Sequence, residues 1–314
     1  MRAHCFSPSL ARGFGPGRAA SLARPFPEPL AHRFARTAQG GFTLVEMVMV
    51  IVILGVVSSM VAVAMRGPVD AYFAAARRAA LTDVADGVMR RLERDVRKAL
   101  PNSLRTPSNQ CLEFIPTKTG GRYRADGSAA ALNFDVADTG FNMLGRNSTL
   151  PADQRIVARA GLVAGDFVVV YNLGPSVPGA DAYNLDNLAE VTGLGTEFQN
   201  TTPLNGWESP ISISSKQFPL ASGGNRFHVV PGAERVVSYV CSGGALYRTV
   251  NASNFTSSCP SSGAKVADRV VCNFDYSGDD LSRNALVRIN LQITDSSGKE
   301  PVQLQQEVHV NNTP

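Results

Sequence analysis

Residues 42–65, FTLVEMVMVIVILGVVSSMVAVAM, form a 24-residue run whose only charged side chain is Glu46. At about 1.5 Å of rise per residue, a helix of that length crosses a hydrocarbon layer of roughly 30 Å. The run therefore reads as a transmembrane helix. A secretory signal peptide fits less well, because its apolar stretch covers only about 7–15 residues. The carboxylate of Glu46 opposes the hydrophobicity around it, so its position needs a physical reason.

The helical pattern continues past the apolar run. Arg66-Gly67-Pro68 punctuates it, and VDAYFAAARRAALTDVADGVMRRLERDVRKAL then reaches residue 100. Leu81, Val84, Val88, Leu92 and Val96 recur every three or four residues and make one apolar stripe. The other faces carry charged side chains, among them Arg77, Arg78, Asp83, Arg90, Arg91 and Arg94. Pro101 and Asn102 end the pattern. The expectation is one helix of roughly 55–60 residues, apolar all round in its first half and amphipathic in its second.

From about residue 111 the period changes to two. CLEFIP, ALNFDV, GDFVVVYNL, RFHVVP, ERVVSYVC, GALYRTV and RVVCNFDY all read as strands between Gly, Asn, Asp, Ser and Pro punctuation. ALVRINLQIT and PVQLQQEVHV, joined by DSSGKE, form a terminal hairpin. Residues 172–226 are polar, rich in Gly and Pro, and hold the only Trp, Trp207; they read as an irregular insertion. The fold class is α+β: a long N-terminal helix, half transmembrane and half amphipathic, packed on a mostly antiparallel β-sheet domain. The division is a leader over 1–41, a transmembrane helix over 42–65, its amphipathic continuation over 66–100, and a β-rich domain over 101–314.

Charge and cysteine divide at the same place. Residues 1–41 hold six Arg and one acid, so the chain's formal +4 is concentrated there and residues 42–314 sum to −1. The larger part therefore offers no electrostatic case for nucleic acid. Cys5 precedes the apolar run, while Cys111, Cys241, Cys259 and Cys272 follow it without the close pairs of a zinc site. Four cysteines beyond a membrane segment fit two disulfides in an oxidising compartment, with buried free thiols as the alternative. Three connectivities are open; Cys241–Cys259 closing a local loop, with Cys111–Cys272, is the one favoured.

The stretch GGFTLVEM resembles the cleavage and methylation signature of type IV pilins and type II secretion pseudopilins. The resemblance implies that a prepilin peptidase cuts between Gly41 and Phe42, N-methylates Phe42, and makes Glu46 the fifth mature residue. It also supplies the missing reason for Glu46. The new amine at Phe42 stays largely cationic at neutral pH. A carboxylate held in lipid, at a cost of about 2–3 kcal/mol at the bilayer centre, is offset when it meets the terminal amine of a neighbouring helix. Glu46 then favours entry of a subunit into a helix bundle. An ordinary anchor with an interfacial Glu reaching to water is the plainer reading without the cut site.

The segments RGPVDAYFAAARRAALTDVADGVMRRLERDVRKALPNSLR, CLEFIPTKTGGRYRA and QEVHVNN resemble the MshO family, minor pilin-like proteins of mannose-sensitive haemagglutinin (MSHA) type pili. That family is related to PilW-type minor pilins and GspJ-type pseudopilins. The resemblance implies a supporting role in pilus assembly, with the other major and minor pilins as partners through the helix. The chain would sit in a bacterial inner membrane with its C-terminal domain periplasmic, or be incorporated in a surface pilus. Leader arginines on the cytoplasmic side give the same orientation.

His228 and His309 stand in strand-like alternation, and no nucleophile elbow, metalloprotease or Walker motif accompanies them, so no enzyme and no cofactor is expected. Asp275, Asp279 and Asp280 in DYSGDD are a candidate Ca²⁺ site, although hairpin turns favour such residues anyway. Arg122 and Arg124 in TGGRYRADG read as two cations on a loop, for a subunit contact or plain solvent. The Arg-rich, acid-poor leader also resembles an organellar transit peptide. The competing functions are a type II secretion pseudopilin, a tip adhesin binding through 172–226, and a membrane-anchored periplasmic enzyme.

Overall fold

The computed structural model describes residues 41–314 apart from 127, 129, 202–205, 257–258, 278–283, 297 and 299. All of the expected leader except Gly41 lies outside the described residues, as does Cys5. The chain divides into two compact units, Met1–Val63 and Ala64–Pro314. One helix, α1 (Leu44–Val96, 53 residues), contributes to both. In the first unit every described residue is exposed.

In the second unit α1 passes through Pro68 without ending, although proline gives up one backbone hydrogen bond there. Its buried stripe is Ala85, Val88, Met89, Leu92 and Val96. Val84, expected on that stripe, is half exposed instead, because the 3.6-residue period carries Ala85 and Met89 onto the packed side. After Val96 the chain leaves the helix through tight turns and enters an extended pairing, with the Leu100 amide donating to the Ile115 carbonyl at 2.8 Å.

Among the described residues fifteen strands follow. They are β1 (Arg105–Ser108), β2 (Cys111–Phe114), β3 (Thr119–Tyr123), β4 (Asp138–Leu144), β5 (Phe167–Val169), β6 (Leu188–Leu194), β7 (Phe198–Asn200) and β8 (Gly206–Lys216). The second half holds β9 (Arg226–Val230), β10 (Val236–Ser242), β11 (Ala245–Asn251), β12 (Ala264–Asp268), β13 (Val270–Ser277), β14 (Asn284–Thr294) and β15 (Pro301–Asn311). A five-stranded sheet β1-β2-β10-β11-β12 and the three-stranded β13-β14-β15 pack with the helix stripe around one core. There Leu92 and Val96 join Leu112, Tyr239, Val287, Ile289 and Val308, all nearly solvent-free. A fully buried aliphatic side chain contributes about 1.5–3 kcal/mol. The fold is therefore α+β, with the long helix on a mostly antiparallel domain.

The remaining strands follow the order β4-β3-β9-β5-β6-β8, and β8 pairs back onto β4. That return closes an antiparallel barrel of six strands, with β7 added to β8 beyond β6. Phe141, Met143, Val168, Val191, Ile211 and Phe227 fill the interior, as expected for so small a barrel. Gly121 is required inside: a Cβ there would lie 2.9 Å from the Phe227 ring. The barrel occupies the sequence between β2 and β10, which are themselves paired through Phe114↔Val237. It is an insertion between neighbouring strands. Its outer positions Phe167 and Val169 pack on Leu100, Ile115 and Val236. The run FVVV is thus buried on both faces, which is why it reads as continuous rather than alternating.

Two expected elements differ. Residues 172–226, expected to be irregular, contain β6, β7 and the whole of the long strand β8, two of them staves of the barrel. A register shift between Val191 and Gly193 breaks their alternation. Residues 131–136 form turns rather than a strand, because the Asn133 side chain accepts from the backbone N–H groups of Asp135 (2.8 Å) and Val136 (3.4 Å).

The disulfides are Cys111–Cys259 and Cys241–Cys272, each with Cα atoms 6.1 Å apart. This corrects the favoured pairing of Cys241 with Cys259. Cys241, the penultimate residue of β10, lies on the core side facing Cys272 of β13 across the sheet junction, while Cys111 starts β2.

His228 of β9 is largely buried beside Val169 and Gly120, and its pKa falls from 6.5 to about 4, through desolvation first and Arg226 second. The folded state resists the proton that the unfolded chain accepts. Stability is complete above pH 6.5 and lost as pH falls toward 4, by up to about 3 kcal/mol. Chemical denaturation at pH 7 and pH 4.5 measures it; a His228→Gln variant should show a shallower acid slope.

Candidate functional site

Gly41 is exposed and nothing lies within 4 Å of the place its Cβ would take, so the Gly41–Phe42 bond is sterically open on this side. Thr43 caps the helix. Its hydroxyl accepts the Glu46 N–H at 3.2 Å and its carbonyl accepts the Met47 N–H at 3.1 Å. Thr-Leu-Val-Glu has capping-box spacing, with Glu46 in the first turn where the helix dipole favours an anion. Thr43 was missed in reading the sequence, although the T-x-x-E pattern was there to find. The helix start is thus set by Thr43, through the backbone N–H of Glu46.

Glu46 is exposed, and its side chain makes no ion pair among the described residues. From Phe42 to Met65 the large apolar side chains are exposed around the whole helix. The helix is long and apolar enough to cross a membrane. An all-round apolar surface of this kind requires lipid or other helices.

The other sequence candidates lie elsewhere and do not gather. Asp275, on β13, faces Arg288 at 3.6 Å, while Asp279 and Asp280 lie outside the described residues. His309 is an exposed position on β15 opposite Leu286. Arg122 is exposed on β3, but Arg124 is not a loop cation: it is 4% exposed, bound to the buried carboxylate of Glu208 and to Asp126. Trp207 sits at the start of β8 with the Arg146 guanidinium 4.1 Å from its ring centroid, and Glu197 holds that Arg at 2.9 Å. Hydrogen bonds from Ser148, then Arg146, pull Glu197 down to about 2.

Among the described residues the geometry is one helix long and apolar enough to cross a membrane, followed by a β-rich domain, with an acid and a helix cap just after a Gly-Phe junction. Residues 36–62 match the family model for the prokaryotic N-terminal methylation motif. That span covers the Gly41–Phe42 junction, Glu46 and most of the apolar run, and the signature is of the type IV prepilin kind. It supports a pilin- or pseudopilin-type role as a structural subunit, and it implies processing by a prepilin peptidase and assembly with pilins. No curated protein and no solved structure matches the chain.

Proposed function

We propose that the chain is a minor pilin-like subunit that supports assembly of an MSHA-type type IV pilus. A prepilin peptidase cuts between Gly41 and Phe42 and methylates the new amine. Residues 42–65 hold the precursor in the inner membrane with the C-terminal domain on the periplasmic side. Glu46 then pairs with the terminal amine of a neighbouring subunit as the helices bundle.

The observation that carries this is the methylation motif over 36–62 coinciding with a capped helix start at Thr43. A barrel inserted between β2 and β10 supports a low-copy position, because a bulky insert is easier to tolerate at a tip than in every repeat. Intact-mass and N-terminal peptide spectrometry of the membrane-extracted protein tests it: the expected chain begins at N-methylated Phe42. A chain retaining residues before 42 overturns it.

A Glu46→Gln variant should be processed normally, since it leaves the Gly41–Phe42 junction and the Thr43 cap in place. Its incorporation into fibres should fall by at least about tenfold, the effect of losing one charge pair in low dielectric. Quantifying the chain in sheared fibres against the membrane fraction measures this; equal incorporation would leave Glu46 an ordinary anchor residue.

A further inference from the structure

The exposed side of α1 borders an open groove of 780 Å³ whose far wall is Glu234 and Arg248. A second groove of 550 Å³ continues from the same Asp95, Glu234 and Arg248 toward Lys98 and Lys118. Most of the fixed charge in the first groove is already satisfied. Arg248 is held by Asp95 at 2.9 Å and Glu234 at 3.2 Å, and Arg90 by Asp86 at 3.6 Å. Arg91 and Arg94 are different: both are exposed, both line the groove, and among the described residues neither has a carboxylate within 4 Å.

Between them and Asp83 lies Gly87, four residues from Asp83 and from Arg91 on the same face. A Cβ added at Gly87 would meet no atom within 4 Å, so packing within the chain does not require the glycine. Glycine in a helix interior is a poor helix former, and here the fold gains nothing in return. What the missing side chain does provide is room for another backbone to approach α1 closely, the use small residues serve where helices pack.

We propose that this groove receives an acidic segment of a neighbouring pilin-type subunit, its carboxylates pairing with Arg91 and Arg94 and its backbone passing over Gly87. The inference rests on the pilin-type reading above. Charge supports a protein occupant: residues 66–98 carry eight cations against five acids, while residues 99–314 sum to −3, so a subunit built like this one offers acidic surface to a basic helix. A lipid headgroup is disfavoured by position. Asp83 stands 18 residues beyond Met65, about 27 Å along the helix from the end of the apolar run.

The test uses the full-length chain in the cells that assemble its fibre, with the photoreactive p-benzoylphenylalanine at Arg90. Crosslinked peptides are sequenced, and the N-terminal peptide is read from the same sample. The expected product is a peptide with two or more Asp or Glu from another chain that itself begins at a prepilin cut. Reversing charge with Arg91→Glu and Arg94→Glu should lower the yield by at least about tenfold, whereas the Lys pair should keep most of it. Gly87→Gln, which favours the helix, should also lower the yield. Crosslinks to phospholipid, to a peptide without acids, or at a yield indifferent to charge reversal overturn the proposal, as does no crosslink in chains that start at Phe42. Chains that retain residues before Phe42 overturn the pilin-type reading itself, and the N-terminal peptide tells the two failures apart.

Discussion

An Arg124→Met variant should lose about 3–5 kcal/mol of stability at pH 7, the usual cost of stranding one partner of a buried ion pair. Arg124 and Glu208 are 4% and 2% exposed, between the end of β3 and β8. Besides the Arg124 amino group, Glu208 accepts from Arg124 Nε at 3.1 Å, from Asn142 at 2.8 Å and from Asn200 at 2.9 Å. Each carboxylate oxygen is therefore committed, and the pair joins β3, β4, β7 and β8 at the seam where β8 returns to β4.

Without the guanidinium, Glu208 would be a carboxylate in low dielectric, and burial would raise its pKa in the folded variant above its unfolded value. Such a group contributes its stability below the unfolded pKa and loses it as pH rises. The variant should therefore be least impaired near pH 4 and most impaired at neutral pH, apart from the opposite contribution of His228 common to both proteins. Arg124→Met combined with Glu208→Gln removes the stranded charge while keeping an oxygen for Asn142 and Asn200. The double variant should recover to within about 1–2 kcal/mol of the parent, since replacing both charges of a buried pair is often nearly neutral. Urea denaturation at pH 7 of the parent, Arg124→Met, the single variant Glu208→Gln and the double variant closes the cycle. If the single Met variant lost less than about 1 kcal/mol, the seam would not depend on the ion pair.

How far the chain could be read in advance depends on how local the determinants are. The long apolar helix, the amphipathic stripe ending at Val96, and the hairpin of β14 and β15 all follow from short periods, and all three stand in the structure. The barrel does not, because its closing pair joins Phe141 to Ile211, 70 residues apart in sequence, and no periodicity reports which strand lies beside which. The stretch TGGRYR looked like a loop because its two glycines suit turns. Its glycines instead admit the neighbouring strand: a Cβ on Gly120 would sit 2.9 Å from the Phe227 carbonyl. Arg124 looked like a solvated cation for a related reason, since its partner Glu208 is 84 residues away. At the N-terminus the reverse holds. The Gly-Phe junction, the cap at Thr43 and Glu46 lie within six residues, so that site was almost wholly legible.

Removing the disulfide Cys111–Cys259 with two Cys→Ala substitutions should cost about 2–5 kcal/mol, and the amount should depend on the barrel. The bond spans a sequence separation of 148, and the whole barrel lies inside the loop it closes. Cys241–Cys272 spans only 31. If the bond acts by limiting the unfolded chain, its contribution scales as about (3/2)RT ln n. The insertion gives a way to change n without touching either cysteine. Because Phe114 of β2 pairs with Val237 of β10, residues 117–232 can be replaced by a four-residue turn, shortening the loop to roughly 36 residues. That excision exposes Ile115 and Val236 and lowers stability in its own right. The comparison is therefore made within each background. Loss of the disulfide should cost about 1 kcal/mol less in the excised chain than in the parent. The excised chain should still form both disulfides and keep its helical circular dichroism, since the core around Leu92, Tyr239 and Val287 uses no barrel residue. An excised chain that cannot fold even with its disulfides formed would show that the barrel is a structural part of the helix-bearing platform. An equal disulfide cost in both backgrounds would instead place the bond's contribution in the folded state.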